Sequence, residues 1–370
     1  MKLDRDALPD HAPYSPSAMG RIIPCPLSVS LSKKAPKELE SPYALEGTHA
    51  HTYAANELLG KDVEYDFEVT SDMIDAVDIY YEHCDPLLEK ATKYGIEIKV
   101  VADEELFGSV DMFAIVENHL HLTDFKYGAG VIVPAERNKQ LMTYAALLFL
   151  DDEVDMPTIE GVTMHIVQPR GMGDAITSWS CKVSDIDEHL TLVDSAINSS
   201  KLNNPPGKMG DWCRFCPAKI ICPVLAAAEQ GVVNWDVNDI DLGDLGQLLL
   251  QAQVLEAKAK AMFSYAHARM EDGNHIPGWK LVPKRAMRKW TDTEAVFRWI
   301  KKRGKKKQMT TINLISPAQA DKILGDEYES ITHLVESKSS GTNIKPSDDS
   351  AEEVQSLGNA LKAIGSLPKL

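Results

Sequence analysis

The chain has 370 residues, enough for two or three domains, and its 44% apolar and 25% charged residues make an ordinary globular mixture without a disorder signature. No apolar run reaches the ~18 residues of a membrane helix, and the start "MKLDRDALPDHAP" is charged and Pro-bearing, unlike a secretory signal. The net charge of −16 argues on average against a nucleic-acid partner, yet Lys280 to Lys307 holds twelve Lys or Arg against only Asp292 and Glu294, so the average decides nothing. A soluble cytoplasmic protein without a membrane partner is expected.

In chain order, residues 13–45 are rich in Pro and Ser and carry Cys25 in "IIPCPLSVSLSKK". "EGTHAHTYAANELLG" reads as a helix closed by Gly60. A longer helix runs from about Ser71 to Lys93, followed by strand signals in "IEIKVVADEEL", "SVDMFAIVE" and "HLHLTDFK". "AERNKQLMTYAALLFLD" is an amphipathic helix, and "GVTMHIVQP" and "ITSWSCKVS" are strands. A helix from about Ser184 to Ser199 leads through "NNPPGKMGD" to a cysteine cluster. Beyond residue 235 come a long helix, the basic segment, and a Ser/Asp/Lys-rich tail. This order describes an α/β core of about 150 residues with additions at both ends.

The hairpin "SVDMFAIVENHLHLTDFK" holds two aspartates and a lysine among apolar strand residues. A turn at Glu117-Asn118 pairs Val116 with His119, Ile115 with Leu120, Phe113 with Leu122, and Asp111 with Asp124. Alternation then puts Asp111, Phe113, Ile115, Leu120, Leu122, Asp124 and Lys126 on one side of the sheet. Like charges directly opposite, with Cβ atoms ~5 Å apart, destabilise a sheet. A divalent cation reverses that cost, because hard cations take carboxylate oxygens. Lys126 could then orient an attacking water or stabilise charge on a phosphate. The plainer reading has solvated aspartates at frayed strand ends and Lys126 as a salt-bridge partner.

In the first helix His51 shares a stripe with Ala54, Ala55 and Leu58, so it is expected to point inward as a core residue or a third metal ligand. Gln140 and Tyr144 lie four apart on one helix face. Cys213-x2-Cys216-x5-Cys222, in "DWCRFCPAKIICPV", groups three thiols and leaves a distant fourth to be found; Cys25, flanked by prolines, is the best candidate. Zinc and a [4Fe–4S] cluster both suit four thiolates. Either would staple the N-terminal segment to the end of the core. Cys84 and Cys181 read as buried thiols.

Together these residues resemble the PD-(D/E)XK nuclease superfamily, in its RecB-like branch with an iron–sulfur cluster, alongside CRISPR-adaptation, AddB-type and phage nucleases. "GTHAH" resembles its G-x-x-x-H motif (Gly47, His51), and "SVDMF" the motif of the metal-binding Asp (Asp111). "TDFK" resembles (D/E)-x-K (Asp124, Lys126), and "QLMTY" resembles Q-x-x-x-Y (Gln140, Tyr144). The cysteines resemble its arrangement of one N-terminal and three C-terminal ligands, here Cys25, Cys213, Cys216 and Cys222. The likeness covers residues 13–225, and the chain also looks like phage and prophage RecB-like proteins that continue through "PGWKLV…RKW".

The resemblance implies a restriction-endonuclease-like core, a central mixed sheet flanked by helices, stapled by a [4Fe–4S] cluster over residues 1–230. A helical and basic accessory region (231–335) and a polar tail with a short terminal helix (336–370) would follow. It implies a metal-dependent DNA exonuclease of recombination or end processing in a bacterial or phage-infected cytoplasm. His51, Asp111, Asp124 and the Phe125 carbonyl would hold Mg²⁺ or Mn²⁺, the imidazole favouring Mn²⁺. Asp111, Asp124 and Lys126 would be catalytic, Gln140 and Tyr144 would position DNA, and a single-strand annealing or recombination protein would be a partner. A catalytically idle DNA-binding protein and an endonuclease of the same fold are the alternatives; no G-x-G-x-x-G follows a strand to support a redox enzyme. The basic run of Lys301, Lys302, Arg303, Lys305, Lys306 and Lys307, with Trp290, Phe297 and Trp299 nearby, reads from composition as a DNA-tracking surface or as a solvated helix face.

Overall fold

The computed structural model describes residues 5–9, 11–36, 42–233, 241–271 and 276–277. The basic run, its aromatic neighbours and the polar tail lie outside the described residues. By internal contacts the chain divides into two compact units, Met1–Ile276 with Pro346–Glu352, and Pro277–Lys345 with Glu353–Leu370. All that follows belongs to the first.

Two short N-terminal helices, α1 (Met19–Ile22) and α2 (Leu27–Ser32), precede α3 (Pro42–Leu58) and α4 (Ser71–Lys90). A hairpin meander follows: β1 (Lys93–Val101), β2 (Phe107–Val116) and β3 (His119–Phe125). Then α5 (Lys139–Leu150) crosses over to β4 (Gly161–Val167), which pairs with β5 (Ile176–Cys181) before α6 (Val183–Ser200). The sheet order is β1-β2-β3-β4-β5, antiparallel except for the parallel β3–β4 pair that α5 connects. This is an α/β fold, a five-stranded mixed sheet flanked by helices.

Each face of the sheet buries its own core. Phe113, Ile115, Leu120, Leu122, Met164 and Ile166 pack with Leu141, Ala145, Leu148, Ile186 and Val193 of α5 and α6. On the other face Met112, Ala114 and Phe125 pack with Ala50 and Ala54 of α3 and with Met73, Val77 and Tyr80 of α4. Two of the flanking helices, α4 and α5, start where a side chain satisfies an end N–H: Thr70 Oγ1 accepts from Met73 N (3.3 Å), and Asn138 Oδ1 from Leu141 N (3.1 Å). No helix among the described residues is long and apolar enough to cross a membrane.

The hairpin has the register that the sequence predicts. Glu117 (φ 50°) and Asn118 (φ 62°) both take the left-handed conformation of a two-residue turn, and Val116↔His119, Ile115↔Leu120 and Phe113↔Leu122 are paired. The β2–β3 ladder ends at Met112↔Thr123, one step short of Asp111 and Asp124, while β3 continues beside β4 through Phe125↔Val167. The two aspartates therefore stand one step past the last paired residues of β2 and β3, close enough that Asp111 helps to raise Asp124 after burial.

Under α4, β3 and β4 carry a run of histidines. His121 Nδ1 lies 3.1 Å from His165 Nε2, and His165 Nδ1 lies 2.7 Å from Ser178 Oγ. Burial, reinforced by the neighbouring histidines, pushes His165 down to about 3 and His121 down to about 4. Both are neutral when folded but take protons near 6.5 when unfolded, so their contribution to stability is complete above 6.5 and disappears as pH falls toward 4 and 3. His165→Gln should flatten the acid side of the stability–pH curve by up to about 1.4 kcal/mol per pH unit, read from urea melts between pH 4 and 7.

Candidate metal centre and cysteine pocket

The aspartates and lysine of the hairpin meet side chains from three other elements at this end of the sheet. Asp124, its side chain 4% exposed, lies 2.8 Å from Lys126 Nζ through Oδ2. Gln140, in the first turn of α5, ties the pair together: its amide nitrogen donates to Asp124 Oδ1 (2.9 Å), and its carbonyl oxygen accepts from Lys126 Nζ (3.2 Å). Tyr144, one turn on, is buried beside Gln140. Gly108 on β2 makes room for that ring, since a Cβ there would meet Tyr144 Cε1 at 3.0 Å and Pro16 Cδ at 2.8 Å.

Asp111 is fixed differently. Its Oδ2 accepts the backbone N–H of Phe125 (2.9 Å) and lies 3.5 Å from His51 Nδ1. The helix carrying His51 is anchored by Glu46, which accepts from the Tyr127 hydroxyl (3.1 Å) and pairs with Arg170 (3.3 Å). A stripe through His51, Ala54 and Ala55 was the expected inner face of this helix. Ala50 and Ala54 instead form the buried contact, because their small side chains let the helix approach the sheet, and His51 falls on the flank with its side chain 33% exposed. There the ring meets Phe125 edge-on at 5.5 Å and borders solvent, as an entry route for an ion requires. A Cβ at Gly47 would meet nothing within 4 Å, so no steric reason for that glycine exists among the described residues.

Glu97 is a member that the sequence reading missed. It sits in β1 between Ile96, paired with Met112, and Ile98, paired with Val110, which places it opposite Asp111. Its φ of 48° is left-handed, and around it the strand changes sides: Ile96 belongs to the α3–α4 core and Ile98 to the α5–α6 core. One nitrogen of His51 and one oxygen each of Glu97 and Asp111 lie within 4.8 Å of one another. Asp124 stands beside this trio, held by Lys126 and Gln140.

The electrostatics fit a missing positive charge. Burial, then Asp111 and Asp124, push Glu97 up to about 8. Burial raises Asp124 as well, with Asp111 adding to it and Lys126 only partly opposing it. Burial alone would lower Lys126, but the Asp124 and Asp111 carboxylates hold it above its ordinary value. Asp124 Oδ2, despite the nearby ammonium, accepts no hydrogen bond of good geometry. Three carboxylates and an imidazole with one orphaned oxygen suit a hard divalent cation.

The Glu97 carboxyl keeps its proton in the folded chain up to about 8 but loses it near 4.5 when unfolded, so without metal it lowers stability progressively as pH rises between those values. Glu97→Gln should therefore stabilise the metal-free protein by on the order of a few kcal/mol at pH 8 and hardly at all at pH 4. Thermal melts in a chelator at both pH values measure this.

Some way along the chain, Cys25, Cys213, Cys216 and Cys222 line one small pocket together with Arg21, Lys208 and Lys219. The Lys208 backbone N–H approaches Cys25 Sγ at 3.5 Å. Burial pushes the Cys213 thiol up to about 11 and raises that of Cys216. Three of these cysteines sit on two 3-10 turns, Asp211–Phe215 and Pro217–Ile220, and at the start of α7 (Pro223–Val233), with α8 (Leu242–Glu271) packed against the turns. A tetrathiolate set with cations around it suits a metal or cluster whose ligation leaves net negative charge. Cys84 is fully buried and pushed up to about 12 by burial, as an inert thiol would be, whereas Cys181, expected to be buried, is partly exposed at the end of β5, with burial raising it to about 11.

Residues 11–352 match the model of DUF2800, described as a protein of unknown function. The chain belongs to that family. A solved structure described as "Crystal structure of SSO0001" is similar at 15% identity over 48% of this chain and 95% of that one, with a TM-score of 0.24. A likeness that weak bears on neither fold nor function.

Proposed function

We propose that the protein is a metal-dependent deoxyribonuclease of the PD-(D/E)XK, RecB-like kind, hydrolysing phosphodiester bonds from DNA ends in recombination or end processing. The observation that carries this reading is the unit of Asp124, Lys126 and Gln140, set beside the His51–Glu97–Asp111 trio. His51, Glu97, Asp111 and Asp124, with the Phe125 carbonyl as a further donor, would hold Mg²⁺ or Mn²⁺. When bound, such a cation supplies charge neutralisation at a phosphate oxygen and favours loss of a proton from the attacking water.

The chain's own residues do the rest. Lys126 directs its ammonium at the attacked phosphate and its water, stabilising charge as it develops. Gln140 fixes both Lys126 and Asp124, so neither needs to reorganise as the reaction proceeds. Tyr144, buried beside Gln140 and over Gly108, would act on DNA through Gln140 and not by direct contact. Cys25, Cys213, Cys216 and Cys222 would carry a [4Fe–4S] cluster as a structural staple, and zinc is the competing occupant.

A catalytically idle DNA-binding protein has no use for three crowded carboxylates at a site where burial raises two of them. End-labelled linear and closed circular DNA, incubated with Mn²⁺, test the proposal. Loss of linear DNA alone supports an exonuclease, loss of both an endonuclease of the same fold, and survival of both under Mn²⁺ and Mg²⁺ overturns the reading.

A further inference from the structure

Beside the cysteine pocket runs an open groove of about 640 Å³. One wall is the N-terminal segment with Arg21, another the start of α5 with Lys139, and the third the cysteine-bearing turn with Asp211, Arg214 and Phe215. Three cations thus face one carboxylate, in a chain whose net charge is −16. None of the three has a carboxylate at ion-pair distance among the described residues, although Arg214 is near enough to Glu256 of α8 to help lower that carboxyl after Lys260; Arg21 Nη1 donates to Ser32 Oγ at 3.3 Å, and the Arg214 guanidinium lies 5.9 Å from the Phe215 ring centre. Phe215 is 68% exposed, a large apolar ring left in water next to a cation.

We propose that the cysteine-bearing turn forms one wall of a groove for single-stranded nucleic acid, with Phe215 stacking on a base and Arg21, Lys139 and Arg214 on the phosphates. The inference rests on the nuclease reading for its purpose and names the form of strand that reaches the site. Cations at intervals match a charged backbone, and an exposed aromatic face matches an unpaired base, which stacks without regard to sequence. In a duplex the base faces are covered by their neighbours, and Phe215 could not reach them. Lys139, which lines the groove, immediately precedes Gln140, whose amide spans Asp124 and Lys126. Whatever occupies the cysteine pocket then shapes the strand-binding wall, since Cys213 and Cys216 flank Arg214 and Phe215 directly.

Fluorescence anisotropy of the full chain without added divalent metal tests this, using a labelled oligothymidylate of about twelve nucleotides and a blunt duplex of the same length. The wild type should prefer the single strand. Phe215→Ala should weaken single-strand binding about tenfold and leave duplex binding unchanged, with Phe215→Trp restoring it. Arg214→Gln should lower the slope of log affinity against log salt by about 0.7. The visible and near-ultraviolet spectra check that the turn stays intact in each variant. Equal single-strand affinity in wild type and Phe215→Ala, or equal losses on both DNA forms, overturns the groove. Hydrolysis of bis(p-nitrophenyl) phosphate with Mn²⁺, a diester too small to span the groove, separates the two claims. If it proceeds while Phe215→Ala has no effect on binding, the groove alone fails; if it never occurs while strand binding behaves as described, the nuclease reading alone fails.

Discussion

Asp124→Asn is expected to reduce metal-dependent DNA hydrolysis by at least about a hundredfold while the protein stays folded, and Lys126→Met combined with it should fold equally well. The reason lies in how the two groups hold each other. Asp124 is almost completely buried, and Lys126 at 2.8 Å is its ion-pair partner among the described residues. Removing the lysine alone leaves a buried carboxylate without a counter-charge, which costs about 3–5 kcal/mol when such a pair is broken from one side. Removing both charges avoids that penalty, so loss of activity in the double variant reports chemistry and not unfolding. Asp111→Asn should be equally inactive, and because Asp111 raises Glu97, it should also bring the Glu97 carboxyl down toward its ordinary range. Gln140→Ala should act less severely, by about 10–100-fold, since it supports Asp124 and Lys126 without touching the reacting atoms. Full activity in Asp124→Asn would remove that residue from the chemistry.

The second large effect concerns the cysteines. Protein purified without oxygen is expected to be brown, with a broad absorption near ~400 nm from a Cys-ligated iron–sulfur cluster, and Cys25→Ala should bleach it and lower its melting temperature by several degrees. Cys25 lies in the segment between α1 and α2, whereas its partners lie nearly two hundred residues on, so one ligated centre joins segments otherwise held by local packing. Cys84→Ala, by contrast, removes a thiol packed under α4 and should leave the colour unchanged. Colourless protein with stoichiometric zinc would put a zinc site in place of the cluster, and colourless, metal-free protein that melts like Cys25→Ala would leave four ordinary thiols.

Much of this was readable from the residues because it depended on local pattern. The turn at Glu117-Asn118 and the alternation of apolar residues pin the hairpin, since a one-residue slip would turn every strand side chain to the wrong face. Asp124 and Lys126 follow from that register. Gln140 was different: four-residue spacing puts it with Tyr144, but only the β3–α5–β4 crossover brings its amide between Asp124 and Lys126. Glu97 was hidden for a physical reason. In "IEIKVV" it occupies an ordinary outward position, and its left-handed backbone, where β1 switches cores, cannot be seen in a strand pattern. Extending the hairpin register by one strand would have placed it opposite Asp111. His51 was placed one helix position too far inward because two alanines, not the histidine, set the approach of α3. Cys25 was already the best fourth candidate from its flanking prolines, and the fold adds that it lines one pocket with the three later cysteines.

The most direct measurement is hydrolysis of a short labelled oligonucleotide by protein dialysed free of divalent metal, followed as Mn²⁺ is added back, with Asp124→Asn run alongside. No cleavage is expected without metal, with saturable cleavage on addition, reversal by chelator, and a flat response from the variant. Cleavage that persists in excess chelator, cleavage by the variant at the wild-type rate, or no cleavage by the wild type with either Mn²⁺ or Mg²⁺ would contradict the proposed function.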